Sequence, residues 1–213
     1  MGNVPCETAL YWMSRRRGQI QIGERRERMK VIETVYRDYR FRSRLEARWA
    51  VFFDSVGIPY EYEPEGFEMS DGTKYLPDFY LPDSDDYFEV KGYMTEYDMH
   101  KIRKFMDESH KPVTIGYSDF SFEACSYYPE PDGDVYSLEE KIDSNLIKCN
   151  ACGKHYFIGE CGGWHCRCCN AYDGDKYHTP VWNGSNYWAK PEPHIREALE
   201  KARQARFEHG VKP

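Results

Sequence analysis

Two hydrophobic periods alternate along the chain. Leu45, Trp49, Phe52, Phe53 and Val56 recur at the helical period. Ser43 and Glu46 have capping-box spacing, and Gly57 suits a stop, so a helix is expected over 43–57. The pattern then turns to strands. Residues 58–64 alternate, and 66–69 and 74–81 flank Ser70-Asp-Gly-Thr73, a strong hairpin turn. Residues 86–91 read as a further strand ended by Gly92, 95–108 as a helix, and 112–117 as a buried strand. Residues 118–147 are acidic and turn-rich, and a last helix runs from Pro193 with Gly210 as its stop. Helix, three strands, helix, strand predicts an α/β domain with a mixed sheet.

Charge changes this picture through its distribution. The net value of −7 argues against a polyanionic partner, yet residues 15–48 carry twelve Arg or Lys against five acids. Residues 54–98 carry thirteen acids against Lys74 and Lys91. A phosphate-binding face beside a metal-binding cleft would look like this, as would two solvated faces that neutralise each other. Arg15, Arg16, Arg17, Arg25 and Arg26 are the phosphate-contact candidates of the basic arm. No apolar run reaches the ~20 residues of a membrane span, and the first residues lack a secretory apolar region. A cytoplasmic protein, without membrane partners, is expected.

Six of the eight cysteines crowd into residues 149–169. Cys149-Asn-Ala-Cys152 and Cys166-Arg-Cys-Cys169 form two C-x2-C units separated by thirteen residues, the spacing of a zinc ribbon that offers four thiolates to structural Zn²⁺. Gly153 follows the first unit, where a tight turn needs conformational freedom. Cys161, His165 and Cys168 are alternative ligands, and His155 reads as a surface histidine. Lys148, Lys154, Trp164 and Arg167 would suit a nucleic-acid strand, but a purely structural ribbon explains them equally well.

The acids of the predicted strands raise the question of catalysis. Glu89 and Lys91 emerge on one face of their strand, Val90 on the other. Asp78 follows Pro77, which removes a ladder donor and marks an irregularity. If the two strands pair, Asp78 and Glu89 converge on one divalent cation with Lys91 beside it. One or two carboxylates suffice to hold Mg²⁺, and a lysine can stabilise charge on a phosphate. Lys101 and Lys104 on the following helix are further phosphate-contact candidates, their alternative being a solvated helix face.

Pro77-Asp78 and Glu89-Val90-Lys91, after a helix bearing Glu46, resemble the PD-(D/E)XK nuclease superfamily over about residues 40–117. The stretch from Arg42 to Met69 with YLPDFYLP, FEVKG and the terminal ARQARFEHG is similar to nuclease-like proteins of phages and actinobacterial mobile elements. The resemblance implies an α-β-β-β-α-β restriction-endonuclease-like core and Mg²⁺- or Mn²⁺-dependent cleavage of DNA, less often RNA. By it, Asp78 and Glu89 hold metal, Lys91 assists catalysis and Glu46 is an additional acid. It also implies a bacterial or phage-infected host cell, and a homodimer is possible since many such nucleases pair. Four regions are expected: a basic arm (1–30), the nuclease-like domain (31–147), the zinc ribbon (148–172) and a C-terminal segment with a helix (173–213). Two other readings remain open: a catalytically silent DNA-binding or regulatory protein on the same fold, and a phage protein acting on a host partner.

Overall fold

A computed structural model describes residues 32–125, 144–159, 164–173, 178–184 and 191–207. The basic arm, with its five arginine candidates, lies outside the described residues, as does Cys161. The first described elements are a short hairpin, β1 (Thr34–Tyr36) and β2 (Tyr39–Phe41). Helix α1 follows at Arg44–Val56, where Ser43 Oγ accepts the Glu46 N–H and Gly57, at φ 79°, closes the end. Both ends agree with the capping pattern in the sequence.

The expected strand over 58–64 is confined to β3 (Glu61–Tyr62). Pro59 and Pro64 cannot donate to a ladder, and Glu63 takes a left-handed φ of 47°. The next expected strand, 74–81, is split at Pro77. Its first half, β5 (Lys74–Tyr75), closes a small hairpin with β4 (Phe67–Glu68); its second half, β6 (Phe79–Leu81), joins the main sheet. Then come β7 (Asp86–Lys91), α2 (Glu96–Ser109), β8 (Val113–Tyr117) and β9 (Phe122–Cys125).

The main sheet has the order β3-β6-β7-β8-β9, antiparallel except for the parallel β7–β8 pair, which α2 bridges. This is a mixed α/β sheet with a core on each face. On one side Trp49, Phe52 and Phe53 of α1 pack against Phe79, Phe88 and Phe122. On the other, Ile102, Phe105 and Met106 of α2 meet Tyr75, Tyr87, Val113 and Ile115. Gly116 is obligatory here: a Cβ would come within 2.5 Å of the Phe88 ring and 2.7 Å of Trp49.

The cysteine-bearing segment is built on a second sheet, β11-β10-β14, from β10 (Ser144–Cys149), β11 (His155–Gly159) and β14 (His178–Asn183). A small pair, β12 (Trp164–His165) and β13 (Tyr172–Asp173), carries the second knuckle. Leu146, Phe157 and Val181 enter the same apolar cluster as α1, as do Ile195 and Leu199 of helix α3 (Pro193–Gln204). The α3 helix ends six residues before the expected glycine stop at Gly210. Ala205 leaves helical geometry, and Phe207 packs edge-on against Tyr36 with ring centroids 6.1 Å apart. The described residues, all from 32 onward, belong to one compact unit. Three helices occur among the described residues, none long and apolar enough to cross a membrane.

Candidate functional site

The β6–β7 ladder runs Leu81↔Asp86, Tyr80↔Tyr87, Phe79↔Phe88. One further step in register would set Asp78 opposite Glu89, and directly opposed residues share a face. The ladder stops there, beside Pro77. The Asp78 carboxylate turns inward instead, its Oδ2 accepting the Val90 N–H at 2.7 Å. The splayed end of a hairpin thus holds both acids, buried to 5% and 3% exposure.

Three cationic or hydroxyl groups hold this pair. Arg42 donates to Asp78 Oδ1 at 2.6 Å and its Nε reaches Glu63 at 2.6 Å. Lys91 Nζ lies 2.8 Å from Glu89 Oε1 and 3.2 Å from Asp98, and the Tyr75 hydroxyl donates to Glu89 Oε2 at 3.0 Å. Glu46, in the first turn of α1, accepts from the Arg42 N–H (3.0 Å), Ser43 Oγ (2.7 Å) and Tyr62 Oη (2.6 Å). It serves as a helix-end partner and also acts on Asp78. Burial, then the charges of Glu89 and Glu46, push the Asp78 carboxyl far above the usual carboxylate range, against the pull of Val90 N–H and Arg42. Burial lowers the Lys91 pKa, but Glu89 and Asp98 outweigh it, so the ammonium titrates above its ordinary value and stays charged.

The donor set around Asp78 and Glu89 is all oxygen, the hard chemistry that suits Mg²⁺ or Mn²⁺. Lys101 approaches the same place, its ammonium 5.0 Å from the centroid of the Tyr75 ring. Lys104 is engaged elsewhere, with Asp71 at 3.1 Å and Glu108 at 3.4 Å. Sequence reasoning did not find Arg42, Tyr62, Tyr75 or Asp98. Only Asp98 had a signal: with Thr95 it forms the capping box of α2, which fixes the carboxylate that meets Lys91.

The second cluster is sulfur. Cys149, Cys152, Cys166 and Cys169 bring their Sγ atoms within 4.8 Å of one another, the one group of three or more such ligands close enough to share an ion among the described residues. Cys149 and Cys169 are 3.7 Å apart, Cys152 and Cys166 3.5 Å. Tetrahedral Zn²⁺ with Zn–S near 2.3 Å calls for sulfurs about 3.8 Å apart, so the quartet fits. Each knuckle turns through a left-handed residue after its second cysteine, Gly153 at φ 77° and Asn170 at φ 57°. The Tyr156 hydroxyl is 3.0 Å from Cys166 Sγ, the contact a metal-bound thiolate accepts. Although burial opposes it, this bond and the Cys169 backbone N–H lower the Cys166 thiol to about 6. Of the alternative ligands, Cys168 instead points at Asp83, 3.5 Å from Oδ1, and His165 is outside the quartet. His155 is half-buried rather than on the surface, its Nε2 3.5 Å from that of His194.

The knuckles also grip the turn of the β6–β7 hairpin. Lys154 pairs with Asp83 at 2.7 Å, and Arg167 with Asp85 at 2.6 Å, where Lys111 joins them. Compared with family models, curated proteins and solved structures, the chain matches none.

Proposed function

We propose that the protein is a Mg²⁺- or Mn²⁺-dependent nuclease hydrolysing phosphodiester bonds, with DNA the principal substrate, on a PD-(D/E)XK-type core. The supporting observation is the splayed end of the β6–β7 hairpin, where Asp78 and Glu89 lie buried together with Lys91 on Glu89. The element order α1, β3, β6, β7, α2, β8, with the β4–β5 hairpin inserted, agrees with that reading. A stable core has little reason to bury two carboxylates side by side, because their repulsion and desolvation both cost free energy.

Asp78 and Glu89 would hold the ion, and Glu46 keeps further negative charge beside it. Bound there, the ion would polarise the phosphoryl oxygen and lower the pKa of its water. Lys91, held between Glu89 and Asp98, is placed to neutralise charge on the phosphoryl oxygens. A water oxygen bonds to phosphorus and releases a proton to solvent, the bond from phosphorus to the departing sugar oxygen breaks, and that oxygen takes up a proton from solvent. The cysteine quartet would carry structural Zn²⁺.

One observation favours a catalytically silent DNA-binding protein: each oxygen of Asp78 and Glu89 already has a protein partner. Arg42 is half-exposed on a long side chain, so it can yield its place to an ion. The deciding assay is cleavage of labelled DNA and RNA with Mg²⁺, Mn²⁺ or EDTA, using zinc-replete wild type, Asp78→Ala and Lys91→Ala. Cation-dependent cutting by wild type, lost in both variants, is the expected result. Absence of cutting by a well-folded wild type overturns the catalytic reading in favour of the silent one.

A further inference from the structure

Among the described residues, four large apolar side chains stand exposed: Val35, Leu76, Tyr93 and Tyr97. Scattered exposed residues need no explanation, but three of these four lie within two residues of Asp78, Lys91 or Asp98. Leu76 is two residues before Asp78. Tyr93, 81% exposed, is two residues after Lys91. Tyr97, 67% exposed, adjoins Asp98, whose carboxylate holds the Lys91 ammonium.

A path leads inward from Tyr97. Tyr97 and Lys101 are one turn apart on α2 and share a face. Lys101 lies over the Tyr75 ring, and the Tyr75 hydroxyl bonds Glu89. Two exposed phenol rings flanked along the chain by Lys91 and Lys101 offer what a polymer of bases and phosphates needs: a face for the base and an ammonium for its neighbour. Duplex bases already stack on each other and expose no face, whereas unpaired bases do.

We propose that Tyr93 and Tyr97 form a stacking platform for unpaired bases beside the phosphate at Asp78 and Glu89, with Lys101 on an adjoining phosphate. The substrate class is single-stranded nucleic acid, or the single-stranded flank of a branched one. This rests on the hydrolytic reading for the phosphate's position and names that site's substrate.

The test pairs binding with cleavage. Fluorescent single-stranded DNA, single-stranded RNA and duplex DNA are titrated in EDTA with wild type, Tyr93→Ala/Tyr97→Ala and Tyr93→Phe/Tyr97→Phe. The same polymers are then offered with Mn²⁺. The alanine pair should weaken single-strand binding about tenfold or more, with duplex binding unchanged, and the phenylalanine pair should retain it, because stacking uses the ring. The two single-strand arms report whether the sugar matters. Cleavage with single-strand preference intact in the alanine pair, or with duplex preferred by wild type, overturns the platform and leaves the nuclease. Tyrosine-dependent single-strand binding without cleavage supports the platform and removes the nuclease. Binding to none of the three polymers overturns the platform. Both positions are exposed, so the variants should melt with wild type.

Discussion

The knuckles and the splayed hairpin end each gather four functional side chains, but they balance charge in opposite ways. Around Cys149, Cys152, Cys166 and Cys169 the partners are other sulfurs, a tyrosine hydroxyl and knuckle amides; as thiolates they repel until a cation sits between them. Around Asp78 and Glu89 the chain supplies its own cations, Arg42 and Lys91. On the proposed reading the first arrangement would make an ion part of the fold, whereas the second would let the fold form first and admit an ion by displacing a side chain. Removing metal should therefore injure the two regions very differently.

The largest effect is expected from the quartet. Stripping its ion, or Cys149→Ala, should collapse the β10-β11-β14 sheet, and Leu146, Phe157 and Val181 would leave the core they share with Trp49 and Phe52. A loss of several kcal/mol in a chain of this size lowers Tm by roughly 10 °C or more, measured by circular dichroism with metal content assayed alongside. An unchanged Tm in demonstrably metal-free protein would break the comparison at its first half.

Next comes Arg42→Ala. It leaves Asp78 buried without its cation, which should cost about 1–2 kcal/mol after allowance for the exposure of the arginine. Excess Mg²⁺ or Mn²⁺ should then raise Tm of the variant more than that of wild type, and should do nothing for Arg42→Ala/Asp78→Asn. A variant indifferent to both cations would mean that Arg42 was not standing where an ion binds.

A pH-dependent effect is expected at Asp86, the buried acid that belongs to neither site. It is 2% exposed, Oδ1 has no hydrogen-bond partner among the described residues, and burial pushes its carboxyl up to about 8 against the weaker pull of Arg167. The unfolded chain ionises this group near pH 4 (approximately). Between about pH 4 and 8 the native state therefore retains a proton that the unfolded state has lost. Stability contributed by that proton is complete below this window and is lost as pH rises through it, at up to ~1.4 kcal/mol per unit. Urea titrations across the window should show a flatter pH dependence in Asp86→Asn than in wild type. Equal slopes would place the titration elsewhere.

What the sequence made legible follows from the range of the forces involved. The ends of α1 were readable because capping is local, Ser43 reaching Glu46, whereas the equally local Thr95–Asp98 box of α2 went unread. The four cysteines were readable because knuckle spacing is local too. That Asp78, Glu89 and Lys91 meet needed only a hairpin and the two-residue period of strands. The break at Pro77 was foreseen as an irregularity, but the transfer of the chain from one sheet to another was not, since it depends on where β4 lies. Arg42, Tyr62 and Tyr75 were invisible for the same reason: each reaches its acid across tertiary structure, over 36, 16 and 14 residues respectively. The burial of Asp86 was equally hidden, because one strand position facing a core looks in sequence like one facing solvent.

The smallest expected effect concerns whether the two regions communicate. Lys154 and Arg167 of the knuckles hold Asp83 and Asp85, in the turn of the same hairpin whose open end carries Asp78 and Glu89. A tilt of the hairpin could carry a disturbance from sulfur to carboxylate. Two features oppose this. The ladder between β6 and β7 is in register over all three pairs, and Asp85 keeps Lys111 and the Tyr80 hydroxyl when Arg167 is removed. Partly exposed pairs of this kind contribute ~1 kcal/mol or less each, and salt screens them. Lys154→Ala/Arg167→Ala should therefore lower Tm slightly, by an amount that shrinks as salt rises, while the Mg²⁺-dependent Tm shift of Arg42→Ala is unchanged in that background. A shift that disappeared with the clamp would mean that the knuckles set the separation of Asp78 and Glu89. The ion in the fold would then also govern the ion that the fold admits.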